Sequence, residues 1–133
     1  MALRPNLLLA TIGAIAFAAA AASAAESPKD PGKNCFLSNS WQGWSAPGDG
    51  DALYLRVGLH DIYRVDLTPG THARKYGDRF LVNRVRGSNW ICSPLDLDLT
   101  LSDQQGFREP LIARSLRKLT PAEIAAIPRK DLP

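Results

Sequence analysis

Two runs near the middle of the chain alternate between apolar and polar positions. From Asp51 to Val57, Leu53, Leu55 and Val57 share one face, with Tyr54 and Arg56 on the other. From Ile62 to Leu67, Tyr63, Val65 and Leu67 share a face. A period of two with one apolar face marks a half-buried strand. The short link Gly58-Leu59-His60-Asp61 then predicts an antiparallel hairpin. On its polar side Arg56, Arg64 and Asp66 can form a charged cross-strand ladder, at about 0.2–1 kcal/mol per pair. Such a ladder is ordinarily a solvated face.

The richest pattern runs from Phe80 to Leu101. It reads as a strand, a turn at Gly87-Ser88-Asn89, a short apolar run Trp90-Ile91-Cys92, a break at Pro94 and a second strand. Gly and Asn tolerate positive φ, and Ser and Asn side chains bond nearby backbone, so the turn has a mechanism. Cysteine is commonly buried, and Trp90 has the area to pack over Cys92. Proline has no N–H to give a ladder. Beyond it, Leu97, Leu99 and Leu101 point one way and Asp96, Asp98 and Thr100 the other.

Pro110 to Leu119 fits either period. Ile112, Leu116 and Leu119 have helical spacing, yet a new helix start follows directly, which favours a strand. That start is Thr120-Pro121-Ala122-Glu123, a capping box with Pro at the first helical position. Ile124 and Ile127 give a short helix its apolar side, and Pro128 ends it. The expected fold is mainly β: a small antiparallel sheet or sandwich-like domain of about five or six strands with a short C-terminal helix. The expected core is Leu53, Leu55, Val57, Tyr63, Val65, Leu67, Leu81, Val85, Ile91, Leu97, Leu99, Leu101 and Ile124.

Three stretches read as loops by composition: Ser38 to Asp51, Thr68 to Asp78 and Ser102 to Glu109. The first holds Trp41 and Trp44. An exposed pair of this spacing can stack on sugar faces or ligand rings, while buried rings would cap the core beneath a long loop; the second reading asks less. Asp49 and Asp51 suggest calcium, but Leu53 stands where the third acid of that loop belongs. The second loop opens a basic cluster of Arg74, Lys75 and Arg79, joined by Arg84 and Arg86. It could meet anionic headgroups, an acidic polysaccharide or an acidic partner, or simply be a solvated surface.

The start of the chain changes the setting. Met-Ala-Leu-Arg, an apolar run from Leu7 to about Ala22 and Ala-Ser-Ala-Ala predict a secretory signal peptide over residues 1–25, cut after Ala24 or Ala25. The run is short and Ala-rich for a span of about 20 apolar residues, so no membrane span is expected after cleavage. Residues 26–34, with two prolines and a glycine, read as a flexible leader, and residues 35–133 as one small β-rich domain. The formal charge of +3 falls by one when Arg4 leaves, too little for a nucleic-acid partner. Export places the protein in the periplasm or outside the cell. There its two cysteines predict a disulfide, Cys35–Cys92.

Catalytic chemistry finds little support. His60 and His72 are the two histidines, with no G-x-S-x-G elbow and too few ligands for zinc. Asp96 and Asp98 would share the solvent side of a strand. No cofactor and no metal are expected, and no catalytic residue is assigned. A small hydrolase or an enzyme inhibitor using His60 or His72 is the alternative to a non-enzymatic binding or structural domain.

The series Cys35-Phe36, Trp44-x-x-Pro47, the two alternating strands, Arg86-Gly-Ser-Asn-Trp-Ile-Cys-Ser-Pro-Leu-Asp96 and Leu119-Thr-Pro-Ala-Glu-Ile124 resembles a family of small secreted proteobacterial proteins defined by a domain of unknown function. The resemblance spans nearly all of residues 35–133 and implies export and a compact domain, with no established activity. Such proteins are expected to carry further cysteines near the positions of Thr71 and of Glu109 to Ile112. Their paired absence here fits Cys35–Cys92 as the remaining bond. The partner, an envelope component or another protein, stays open.

Overall fold

The computed structural model describes residues 34–74 and 78–133. The expected signal peptide, nearly all of the leader and Lys75 lie outside the described residues. Among the described residues nine strands and one short α-helix follow in order: β1 Phe36–Leu37, β2 Trp41–Ser45, β3 Ala52–Val57, β4 Asp61–Leu67, β5 Phe80–Asn83, β6 Trp90–Ile91, β7 Leu99–Ser102, β8 Arg108–Leu111, β9 Ala113–Lys118 and α1 Pro121–Ala126. All pairings are antiparallel: β2-β3-β4-β9 in one sheet, β5-β7-β8 in a second and β1-β6 as a two-stranded ladder.

The hairpin forms in the register the alternation implies, with Leu53 opposite Val65 and Leu55 opposite Tyr63. Leu53, Leu55 and Val65 have no exposed surface, and Leu99 and Leu101 of the second sheet meet them in one core with Phe36, Ile91 and Leu97. Ile112 separates β8 from β9, so the chain turns a corner there. β8 completes the second sheet, while β9 extends the first beside β4. The Thr68 N–H donates to the Ile112 carbonyl at 2.8 Å. The bend leaves Ile112 58% exposed, and Pro110–Leu119 is two strands rather than one.

The strand count exceeds the expected five or six for a local reason. Trp41–Ser45 lies in a stretch that Ser, Asn, Gly and Pro mark as loop. It is held extended by pairing with β3 across a bulge. The third loop is likewise shorter than its composition implies, because β8 begins at Arg108.

Burial also differs from the pattern at three places. Tyr54 and Ile62, on the face read as polar, are buried with Leu119 in a second small cluster against Ile124 and Ile127. α1 covers that face, which periodicity within one strand cannot show. Val85 is 44% exposed because β5 ends at Asn83. Cys92 is exposed and Trp90 is 41% exposed; only Ile91 of that run reaches the core.

The disulfide Cys35–Cys92 is formed, with Cα atoms 4.1 Å apart. Phe36 pairs with Ile91 and Leu37 with Trp90, so the bond occupies the next step of the same register. A ladder of two pairs is too short to stand alone; the cross-link and the buried pair Phe36–Ile91 hold it. After Cys92, Ser93 and Asp96 form a capping box around the turn Pro94–Asp96, and α1 begins with the Thr120/Glu123 box read from the sequence.

Candidate functional site

Each side chain of the second sheet follows from strand alternation. Leu81, Leu99, Leu101 and Leu111 turn to the core. Phe80, Val82, Arg84, Thr100 and Arg108 therefore take the outer face. There they line, with Ser102, Asp103 and Phe107, a shallow depression of about 290 Å³. Phe80, Val82 and Phe107 are each between about a third and a half exposed. The Arg79 guanidinium lies 4.8 Å from the centre of the Phe107 ring, within cation–π range, and 3.9 Å from the Glu109 carboxylate. The Arg86 Nη2 sits 2.8 Å from Asp98 Oδ2, and Arg84 Nε 4.0 Å from the same oxygen. One carboxylate thus faces two guanidinium groups that are largely in solvent.

The structure thus gathers Arg79, Arg84 and Arg86 from the predicted basic cluster and adds Arg108, Phe80 and Phe107. The sequence signal for those additions was weak. Arg108 and Phe107 lie in a stretch read as loop, and a loop has no faces until β8 is known. Arg74 lies exposed in the connection before β5. Trp41 and Trp44 are half-buried against the main core, and the Trp41 Nε1–H donates to the Gly43 carbonyl at 2.8 Å. They cap the core, as the simpler reading of the pair expects.

A second concave region lies on the outer face of the four-stranded sheet, beneath α1. Of the charged ladder read from the sequence only the Arg64–Asp66 pair forms, and it runs along β4 rather than across strands. The Arg64 Nε–H donates to Asp66 Oδ1 at 2.8 Å, and Ser115 Oγ–H donates to Asp66 Oδ2 at 2.6 Å. Burial raises the Asp66 carboxyl, but the Ser115 hydroxyl and Arg64 outweigh it and hold the group below its usual range. The hydrogen bond to Asp66 in turn holds the Arg64 guanidinium above its ordinary value. Arg56 does not join the ladder; it is exposed and opposite Ile62.

The histidines do not converge on a nucleophile. His60 is exposed in the β3–β4 turn. His72 Nδ1 lies 2.6 Å from Asp51 Oδ1 but is not aligned with any hydrogen-bond partner. Among the described residues no group of three His, Cys, Asp or Glu could hold a metal ion, and no helix is long and apolar enough to cross a membrane. Asp49 and Asp51 lie at a turn, where the Gly50 N–H donates to the Pro47 carbonyl at 3.2 Å.

Comparison with protein-family models, with curated proteins and with solved structures finds no match to this chain.

Proposed function

We propose that the protein is a non-enzymatic binding domain of the periplasm or the extracellular space, and that the outer face of β5-β7-β8 contacts an anionic partner. One observation carries this reading: Phe80, Val82 and Phe107 lie exposed beside Arg84 and Arg108 on one sheet face, with Arg79 against the Phe107 ring and Arg86 paired to Asp98 at its margin. Exposed apolar groups clustered on a charged rim are typical of a contact surface. Arginine supplies planar, multidentate recognition of carboxylate, sulfate or phosphate. The disulfide fits the oxidising compartment that the signal-like start and the family resemblance imply. The hydrolase or inhibitor reading through His60 or His72 is weaker, because neither imidazole meets a Ser or Cys.

The test is retention of the purified protein on an immobilised acidic polysaccharide, and sedimentation with phosphatidylglycerol vesicles, across a salt series. Binding to one of them is expected to weaken steeply between about 50 and 500 mM salt, as exposed charges are screened. Replacing Arg84, Arg86 and Arg108 together with Gln should abolish it while the melting temperature stays within a few degrees. Salt-insensitive binding, or binding unchanged in the triple variant, would refute the assignment.

A further inference from the structure

The outer face of the four-stranded sheet sets two like charges side by side, each paired with a carboxylate of its own. Arg64 of β4 and Arg117 of β9 stand directly opposite in register. Like charges facing across neighbouring strands are destabilising. The row continues with Tyr54 of β3, opposite Arg64 on its other side. These three side chains line one open cavity of about 390 Å³, together with Leu119, Ile127 and Pro128.

From this juxtaposition we infer that the cavity beneath α1 binds a small organic monocarboxylate with a short apolar body. An anion between Arg64 and Arg117 turns their repulsion into two attractions. Each guanidinium is already oriented from outside the pair. Asp66 Oδ1 holds Arg64 through Nε at 2.8 Å, and Glu123 Oε1 holds Arg117 through Nη1 at 2.7 Å. A guanidinium has five N–H donors, so donors remain for a ligand. Glu123 is fixed in turn, its Oε2 accepting the Thr120 N–H at 2.8 Å.

The walls select within the anions. Leu119, Ile127 and Pro128 offer apolar surface to a hydrocarbon body, and the volume is within the range of small-molecule sites. Glu123 and Asp131 also line the cavity. These carboxylates oppose a multiply charged inorganic ion more strongly than a single carboxylate, so the apolar walls supply part of the affinity. The site does not depend on the β5-β7-β8 face, so either assignment can fail alone.

The test is an amide NMR titration of the purified protein with hexanoate, 1-hexanol and inorganic phosphate as separate probes. Hexanoate is expected to give saturable shifts at Tyr54, Arg64 and Ile127. The alcohol, which lacks the charge, should bind about tenfold more weakly or less, as should phosphate. Arg117→Gln should weaken hexanoate about tenfold or more. Because that variant also breaks the ion pair to Glu123, Arg117→Lys is its control: it keeps a cation at this position, so hexanoate should weaken clearly less than in Arg117→Gln. Equal weakening in both variants would leave the charge of Arg117 without a role in binding. That result, hexanol or phosphate binding as well as hexanoate, or no saturable shift around the cavity would each overturn the inference.

Discussion

Removing the disulfide should cost more stability than most single changes in this chain. Cys35 and Cys92 are 57 positions apart, and chain entropy assigns a cross-link over that span about 4 kcal/mol. Small domains are stable by about 5–15 kcal/mol in total. The local structure makes the loss specific. β1 and β6 pair at only two positions, and beyond them the Ser38 N–H donates to the Asn89 carbonyl at 2.8 Å. The Tyr63 hydroxyl donates to the Cys35 carbonyl at 3.2 Å, tying the same end to the main core. A variant with both cysteines changed to Ser keeps Phe36, Ile91 and these hydrogen bonds, so it isolates the cross-link. At roughly 4–8 °C per kcal/mol for a domain of this size, its melting temperature should fall by roughly 15–30 °C. Circular dichroism melts of the variant and the oxidised protein measure this. Amide exchange at Ser38 should also quicken more than exchange at Val65. A drop of less than about 5 °C would mean that the chain-entropy argument fails here and that packing of Phe36 and Ile91 holds the ladder alone.

Two other perturbations separate backbone from side-chain effects. Gly50 has φ +84°, and a Cβ there would meet the Ala73 carbonyl oxygen at 2.5 Å, whereas Gly48, at φ +56°, has nothing within 4 Å. Gly50→Ala should therefore destabilise by about 2–4 kcal/mol and Gly48→Ala by about 1 kcal/mol; equal chemical-denaturation midpoints would remove the steric argument. Asp96 Oδ2 accepts the Cys92 and Ser93 backbone N–H groups, each at 2.9 Å, and these bonds, the Cys92 one first, hold its carboxyl below the ordinary 3.8. A depressed carboxyl contributes stability above its unfolded value and loses it as pH falls through the folded value. The protein should thus melt higher than Asp96→Asn at pH 6, with the two curves converging as pH falls through the folded value, which lies below 3.8; a difference constant with pH would refute the linkage.

Much of the fold is legible from single positions. The alternation in Leu53–Val57, Ile62–Leu67 and Leu97–Leu101 names the residues that the core buries, because a strand sends successive side chains to opposite faces. The Thr120/Glu123 box places the helix start, because its two bonds are local. The basic cluster was visible in part, since Arg84 and Arg86 lie close in sequence. Arg108 and Phe107 were not attached to it, because only the pairing of β7 with β8 brings them there.

The sequence alone determined the inward faces of β3, β4 and β7, the helix cap and, with two cysteines, the one disulfide that could form. Those properties rest on interactions within a few residues or on a choice with a single answer. The tertiary structure decided what covers the other faces. It buries Tyr54 and Ile62 beneath α1, makes a strand of Trp41–Ser45 through pairing with β3, exposes Cys92 and Val85 at strand ends, and sets Arg64 opposite Arg117. Each depends on a partner distant in sequence, and a strand's own period carries no information about which element will pack against it.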